Sequence, residues 1–139
     1  MELLIINGSN ITYCQYLASK LRACGYKHVD PEMYLLDDNG NPVRCAKRLV
    51  EAKNWSKSRA LELVLKNQPV VISANNFAEA DLRSFKVVNC TVQLIDADKL
   101  TTRDLLNFIE QKKQVSKQWK SHRQSRLSKM FFPFLKLQS

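Results

Sequence analysis

The sequence predicts an α/β protein: a three-layer fold with a parallel sheet of about four strands and helices on both faces. Four short β-rich runs alternate with helical stretches, the pattern of a parallel sheet covered on both sides. The 139 residues suit one domain, and a hydrophobic content of 45% is enough to build its core. Basic residues gather near the C-terminal end, which adds a basic helix and an aromatic tail to that body.

The first strand is the apolar run Leu3-Leu4-Ile5-Ile6. A helix follows from Thr12 to Cys24, with Leu17 and Leu21 at i, i+4 and Gly25 as its stop. Lys27 to Val29 is a weak second strand. The turn-rich stretch Asp37-Asp38-Asn39-Gly40-Asn41-Pro42 leads to a long helix from about Val43 to Lys66, ended at Asn67. Its apolar side is Leu49, Ala52, Trp55, Ala60, Leu63 and Val64. Pro69 to Ser73 and Val87 to Ile95 are the third and fourth strands, with a short helix near Ala78 to Phe85 between them. Thr101 or Thr102 caps a last helix, which starts at Arg103 and runs through the basic stretch toward Pro133.

No apolar run approaches the roughly 18 to 20 residues of a membrane helix, and no secretory leader pattern stands at the N-terminus. A cytoplasmic protein without membrane contact is expected. Cys14, Cys24, Cys45 and Cys90 are scattered, with no C-x-x-C pair and no His at ligand spacing. Neither a metal site nor a disulfide framework is expected. Cys14 lies near a helix start, where a thiol can be activated, but a buried inert thiol is the commoner case. His28 and His122 lack neighbours at ligand spacing and receive no catalytic role.

The loop after the first strand reads Asn7-Gly8-Ser9-Asn10-Ile11-Thr12-Tyr13-Cys14-Gln15, at the place where a nucleotide-binding protein keeps its phosphate loop. Further on come Asp30-Pro31-Glu32-Met33-Tyr34-Leu35 with Asp37-Asp38-Asn39-Gly40, then Glu51-Ala52-Lys53-Asn54-Trp55 with Arg59-Ala60, and then Val70-Val71-Ile72-Ser73-Ala74-Asn75-Asn76. In order and spacing these segments resemble the small P-loop kinases that include the 5′-kinase domains of polynucleotide kinases. That family reads G-x-P-G-S-G-K-S-T, S-x-D-D-Y-F with D-x-N-G, E-A-H-x-W and V-V-D-N-T-N in the same order. The resemblance covers roughly the first hundred residues. It implies a degenerate P-loop kinase-like domain over 1–110 and a basic helical extension over 111–139, packed on it or projecting from it.

The departures fall on the chemistry. Residue by residue, the family's two outer glycines become Ile11 and Tyr13, its Lys becomes Cys14, and its Mg²⁺-binding Ser becomes Gln15. Side chains with a Cβ resist the φ > 0 conformations that glycine supplies, so backbone amides should not cradle phosphates here. Loss of the Lys and the metal ligand removes most of the charge stabilisation that phosphoryl transfer needs. The family's substrate base corresponds to Glu32 and the Asp of its D-T-N segment to Ala74, which leaves Glu32 as a remnant, read as a solvated surface acid. No cofactor is implied. Asn75 and Asn76 lie past the end of a central strand, where open α/β sheets bind ligands, although turn chemistry and helix capping also account for them. Trp55 reads as a packing residue rather than a base-stacking one.

The net charge of +9 is uneven: residues 1–110 carry 14 Lys plus Arg against 13 Asp plus Glu, while residues 111–139 carry 8 basic residues and no acid. On a helix Lys113, Lys117, Lys120 and Arg123 form one stripe; with Lys112, Arg126 and Lys129 they are the candidate nucleic-acid contacts. Trp119, Leu127, Met130, Phe131, Phe132 and Phe134 form an apolar set suited to a partner protein, to self-docking or to a homodimer. The set is also similar, imperfectly, to the Q-x-x-L-x-x-F-F peptides that bind sliding clamps.

The sequence therefore points to a non-catalytic binding module or inhibitor that contacts nucleic acid, or a nucleic-acid-processing protein, through its basic C-terminal region. Two rivals stand beside it. One is an active polynucleotide or nucleoside kinase in which Lys20, Arg22 or Arg103 replaces the lost Lys; the other is a pure protein-protein inhibitor of a host factor. So trimmed a pseudoenzyme suits a bacteriophage or another mobile element, acting in the host cytoplasm.

Overall fold

Leu3, Leu4, Ile5 and Ile6 are at most 2% exposed, because β1 (Glu2–Asn7) runs through the middle of a sheet covered on both sides. The computed structural model describes residues 1–86 and 89–115. After β1 come α1 (Ile11–Ala23), β2 (Lys27–Val29), the one-turn helix α2 (Pro31–Tyr34), α3 (Ala46–Leu65) and β3 (Val70–Ala74). A 3₁₀ helix (Glu79–Phe85), β4 (Thr91–Asp96) and a helix α4 over residues 102–115 complete the described part. The four strands are all parallel, in the order β2-β3-β1-β4.

Strand alternation divides the core in two. Leu3, Ile5, Val70 and Ile72 pack against Ala60, Leu63 and Val64 of α3 and against Phe77 and Phe85. Leu4, Ile6 and Val71 point the opposite way, onto Leu17, Ala18 and Leu21 of α1 and Leu105 and Ile109 of α4. Helices therefore cover both faces of the sheet, as the predicted fold class requires. Residues 102–115 pass through the expected boundary at 110 without a break in the helix. Thr101 caps it by accepting the Asp104 N–H at 3.1 Å.

Several boundaries differ from expectation for visible reasons. The long helix starts at Ala46 rather than Val43, since the Val43 N–H donates to the Leu35 carbonyl at 2.8 Å and Leu36 bridges to Pro42. Asn67 ends it in the left-handed region, at φ 60°. Its buried stripe is Ala52, Ser56, Ala60, Leu63 and Val64, with the Ser56 hydroxyl satisfied by the Ala52 carbonyl at 2.8 Å. That stripe turns Trp55 out to the rim, where it is 36% exposed, so it is not the core residue expected. The fourth strand begins at Thr91, after a bend at Asn89 and Cys90; Val87 and Val88 lie outside the described residues. The one-turn helix α2, which lies between the predicted elements, is started by Pro31 at its first turn and by the Asp30 carboxylate accepting the Glu32 N–H at 3.0 Å.

Candidate functional site

In the order β2-β3-β1-β4, adjacent β1 and β3 send their following segments to opposite faces of the sheet: α1 leaves to one side, the 3₁₀ helix to the other. Open α/β sheets bind ligands at the carboxyl ends of strands where the chain diverges in this way. The loop Asn7 to Asn10 sits at that point, so it is the first place to look for chemistry.

The loop is tied down on both sides. Asn7 Oδ1 accepts the Phe77 N–H at 2.9 Å, and the Asn7 carbonyl accepts the Ala97 N–H at 2.8 Å. The Gly8 N–H donates to the Ala74 carbonyl at 3.0 Å. Ser9 turns its N–H onto the carboxylate of Asp98, at 2.9 and 3.1 Å to the two oxygens, and its Oγ donates to Asp98 Oδ1 at 3.0 Å. An amide at this position would hold a phosphate oxygen in a nucleotide-binding loop. Here the chain's own acid, from the turn after β4, fills the place. Asn10 caps α1, its Oδ1 accepting the Tyr13 N–H at 3.1 Å.

Gly8 sits where neighbouring groups approach closely. A Cβ there would lie 3.1 Å from Ala97 Cβ, 3.1 Å from Cys14 Sγ and 3.3 Å from Asp98 Oδ1. Cys14 itself is fully buried. Burial, and then the charges of Asp98 and Asp96, push its thiol up to about 11, so it is the inert case and not an activated nucleophile.

The remaining positions of the kinase-like pattern are engaged structurally. Gln15 Nε2 donates to Asp30 Oδ2 at 2.9 Å, bracing the cap of α2. Glu32, expected as a solvated acid, is ion-paired with Arg44, and its side chain is only 18% exposed. Lys20 lies over the Tyr16 ring at 5.0 Å, and both Lys20 and Arg22 are in the last turn of α1, at the end away from the loop. Arg103 is exposed near the start of α4. Asn75 and Asn76 are exposed in the bend after β3; they cap nothing, because the 3₁₀ helix starts from Ala78, whose N–H donates to Asp81 Oδ2 at 2.8 Å. Among the described residues no group of three His, Cys, Asp or Glu side chains comes together to hold a metal.

His28 has its Nε2 2.8 Å from the Ser73 hydroxyl and is held below the usual histidine range, chiefly by burial, with Asp30 opposing and Arg22 reinforcing the shift. Of the candidate nucleic-acid contacts, Lys113 is exposed on α4. Lys112 is instead bound to Glu2 at 2.5 Å and lies 5.2 Å from the Phe108 ring centroid. Glu2 also accepts the Tyr26 hydroxyl at 2.7 Å, which fixes the start of the basic segment to β1. Lys117, Lys120, Arg123, Arg126 and Lys129 lie outside the described residues, as do Trp119, Leu127, Met130, Phe131, Phe132, Phe134 and His122. Among the described residues, no helix is long and apolar enough to cross a membrane.

Asp98 was not visible as a site residue in the sequence. The one signal was the pair Asp96 and Asp98 just past the last strand, on the edge where α/β sheets place their ligands. No protein-family model matches the chain, and no curated protein matches it.

Proposed function

We propose that this protein is a non-catalytic binding module on a degenerate P-loop kinase-like fold, and that it contacts nucleic acid through its basic C-terminal segment. The observation that carries the reading is the Asp98 carboxylate seated on the Ser9 amide. A triphosphate entering that loop would have to displace a bound carboxylate and then face Asp96 and Asp98, with no Lys in the loop to offset either charge. The loop between β1 and α1, at the divergence point of a parallel sheet, supports the kinase-like descent. The excess of eight basic residues over no acid in 111–139 supports a polyanion as the partner.

Binding of a labelled oligonucleotide by the full chain, measured over a salt series, tests the reading. The logarithm of the affinity is expected to fall linearly with the logarithm of salt concentration. Changing Lys113, Lys117 and Lys120 together to Gln should flatten the slope by about 2, at roughly 0.7 per phosphate contact on a single strand. Absence of salt-dependent binding would leave a protein partner as the only target.

A further inference from the structure

A second surface, distinct from the loop at the strand ends, lies along the free edge of β2. It is a groove of about 680 Å³ between the end of α1, the edge strand and the outer side of α3. Among the described residues three cations line it, Arg22, Lys27 and Arg59, the last also ion-paired with Glu62 at 3.2 Å, against the single lining acid Asp30. Trp55 and Met33 stand on its rim, 36% and 66% exposed. The basic segment 111–139 is a poor occupant, since like charges would meet; a polyanion suits the groove.

Trp55 is set as a platform rather than left loose. Its ring lies against Tyr34, centroids 5.9 Å apart and planes 33° apart. Tyr34 is held in turn by the Arg48 guanidinium 4.7 Å from its ring centroid and by its hydroxyl donating to Glu51 at 3.1 Å. An indole fixed on one side and open on the other loses little freedom when a flat group stacks on it.

Cations along a groove and an indole on its rim are the parts by which proteins hold unpaired bases. A duplex hides the base faces that an indole stacks on, whereas a single strand presents them. We infer that the β2-edge groove binds single-stranded polynucleotide, with phosphates on Arg22, Lys27 and Arg59 and one base on Trp55. The inference rests on the nucleic-acid reading above and narrows it to single strands.

The test uses the full chain with three probes: an oligothymidylate, an oligouridylate and a duplex of equal length. Single strands carrying 5-iodopyrimidines are photocrosslinked and the adducts mapped by mass spectrometry. An adduct at Trp55 is expected, together with a loss of single-strand affinity of about tenfold in Trp55→Leu and a smaller one in Arg59→Gln, with duplex affinity unchanged. The two single strands show whether the groove takes DNA, RNA or both. Equal binding of single strand and duplex, with adducts confined to 111–139 and Trp55→Leu without effect, overturns the groove and leaves the basic segment as the contact. Failure of all three probes to bind overturns both readings.

Discussion

Ser9 and Asp98, 89 residues apart in the chain, are joined by three hydrogen bonds: both carboxylate oxygens accept the Ser9 N–H, at 2.9 and 3.1 Å, and Oδ1 also accepts the Ser9 hydroxyl at 3.0 Å. The contact links the loop after β1 to the turn after β4. A carboxylate thus occupies the amide of the loop after β1, where an anion could otherwise bind, and makes that loop a structural tie.

Removing that tie has a stability cost. Asp98→Ala leaves the Ser9 amide without its charged acceptor, and about 1 to 2 kcal/mol should be lost, at the lower end because Asp98 is exposed. Asp98→Asn keeps an acceptor oxygen and should lose less. Urea denaturation, read as a shift in midpoint at constant slope, separates the two variants.

Gly8→Ala should destabilise by about 1 to 3 kcal/mol through overpacking, because the new methyl meets Ala97, Cys14 and Asp98 within 3.3 Å. Relief by a second change, Cys14→Ala, would show that the clash is with the thiol. Thermal melting of the single and double variants reads this out.

Acid should weaken the fold in two windows. Burial raises the Asp81 carboxyl, but hydrogen bonds from Lys57, the Ala78 N–H and Lys53 outweigh it and hold the group down at about 2. A carboxyl lowered on folding adds stability that is whole above the unfolded value near 4 and disappears as pH falls toward 2; with solvent screening this is about 1 kcal/mol. His28 acts higher on the scale. Its folded value lies below 6.5, so the unfolded chain binds the proton more readily and stability falls as pH drops through that range. Asp81→Asn should remove the lower component and His28→Gln the upper one in urea midpoints followed from pH 7 to pH 3.

Thiol chemistry should sort by position. Cys45 is exposed, while Cys14 is buried with its thiol near 11, a thiolate fraction of roughly one in a thousand at pH 8. Alkylation mapped by mass spectrometry should mark Cys45 quickly and Cys14 only in denaturant. Rapid native labelling of Cys14 would contradict its placement.

Much of the fold was legible because the strands are strongly apolar. Leu3 to Ile6 and Val70 to Ile72 mark central strands, Gly25 and Asn67 mark helix ends, and all four hold. Two features were hidden for physical reasons. The start of α3 depends on the Val43 amide pairing with Leu35, a contact that the helical pattern of the sequence outvotes. The Ser9–Asp98 tie is long-range, and no local signal in Asn7-Gly8-Ser9 announces a carboxylate brought from the far strand. Trp55 shows the converse case: its spacing fits the apolar side, but Ser56, satisfied by its own helix, takes the core position and leaves the indole at the rim.

The most direct measurement is thermal denaturation of the full chain with and without Mg²⁺-ATP. With Asp98 on the Ser9 amide, the melting temperature should not move at millimolar nucleotide. A saturable rise that grows with nucleotide concentration, and that is lost on Gly8→Ala, would contradict a loop closed to triphosphate.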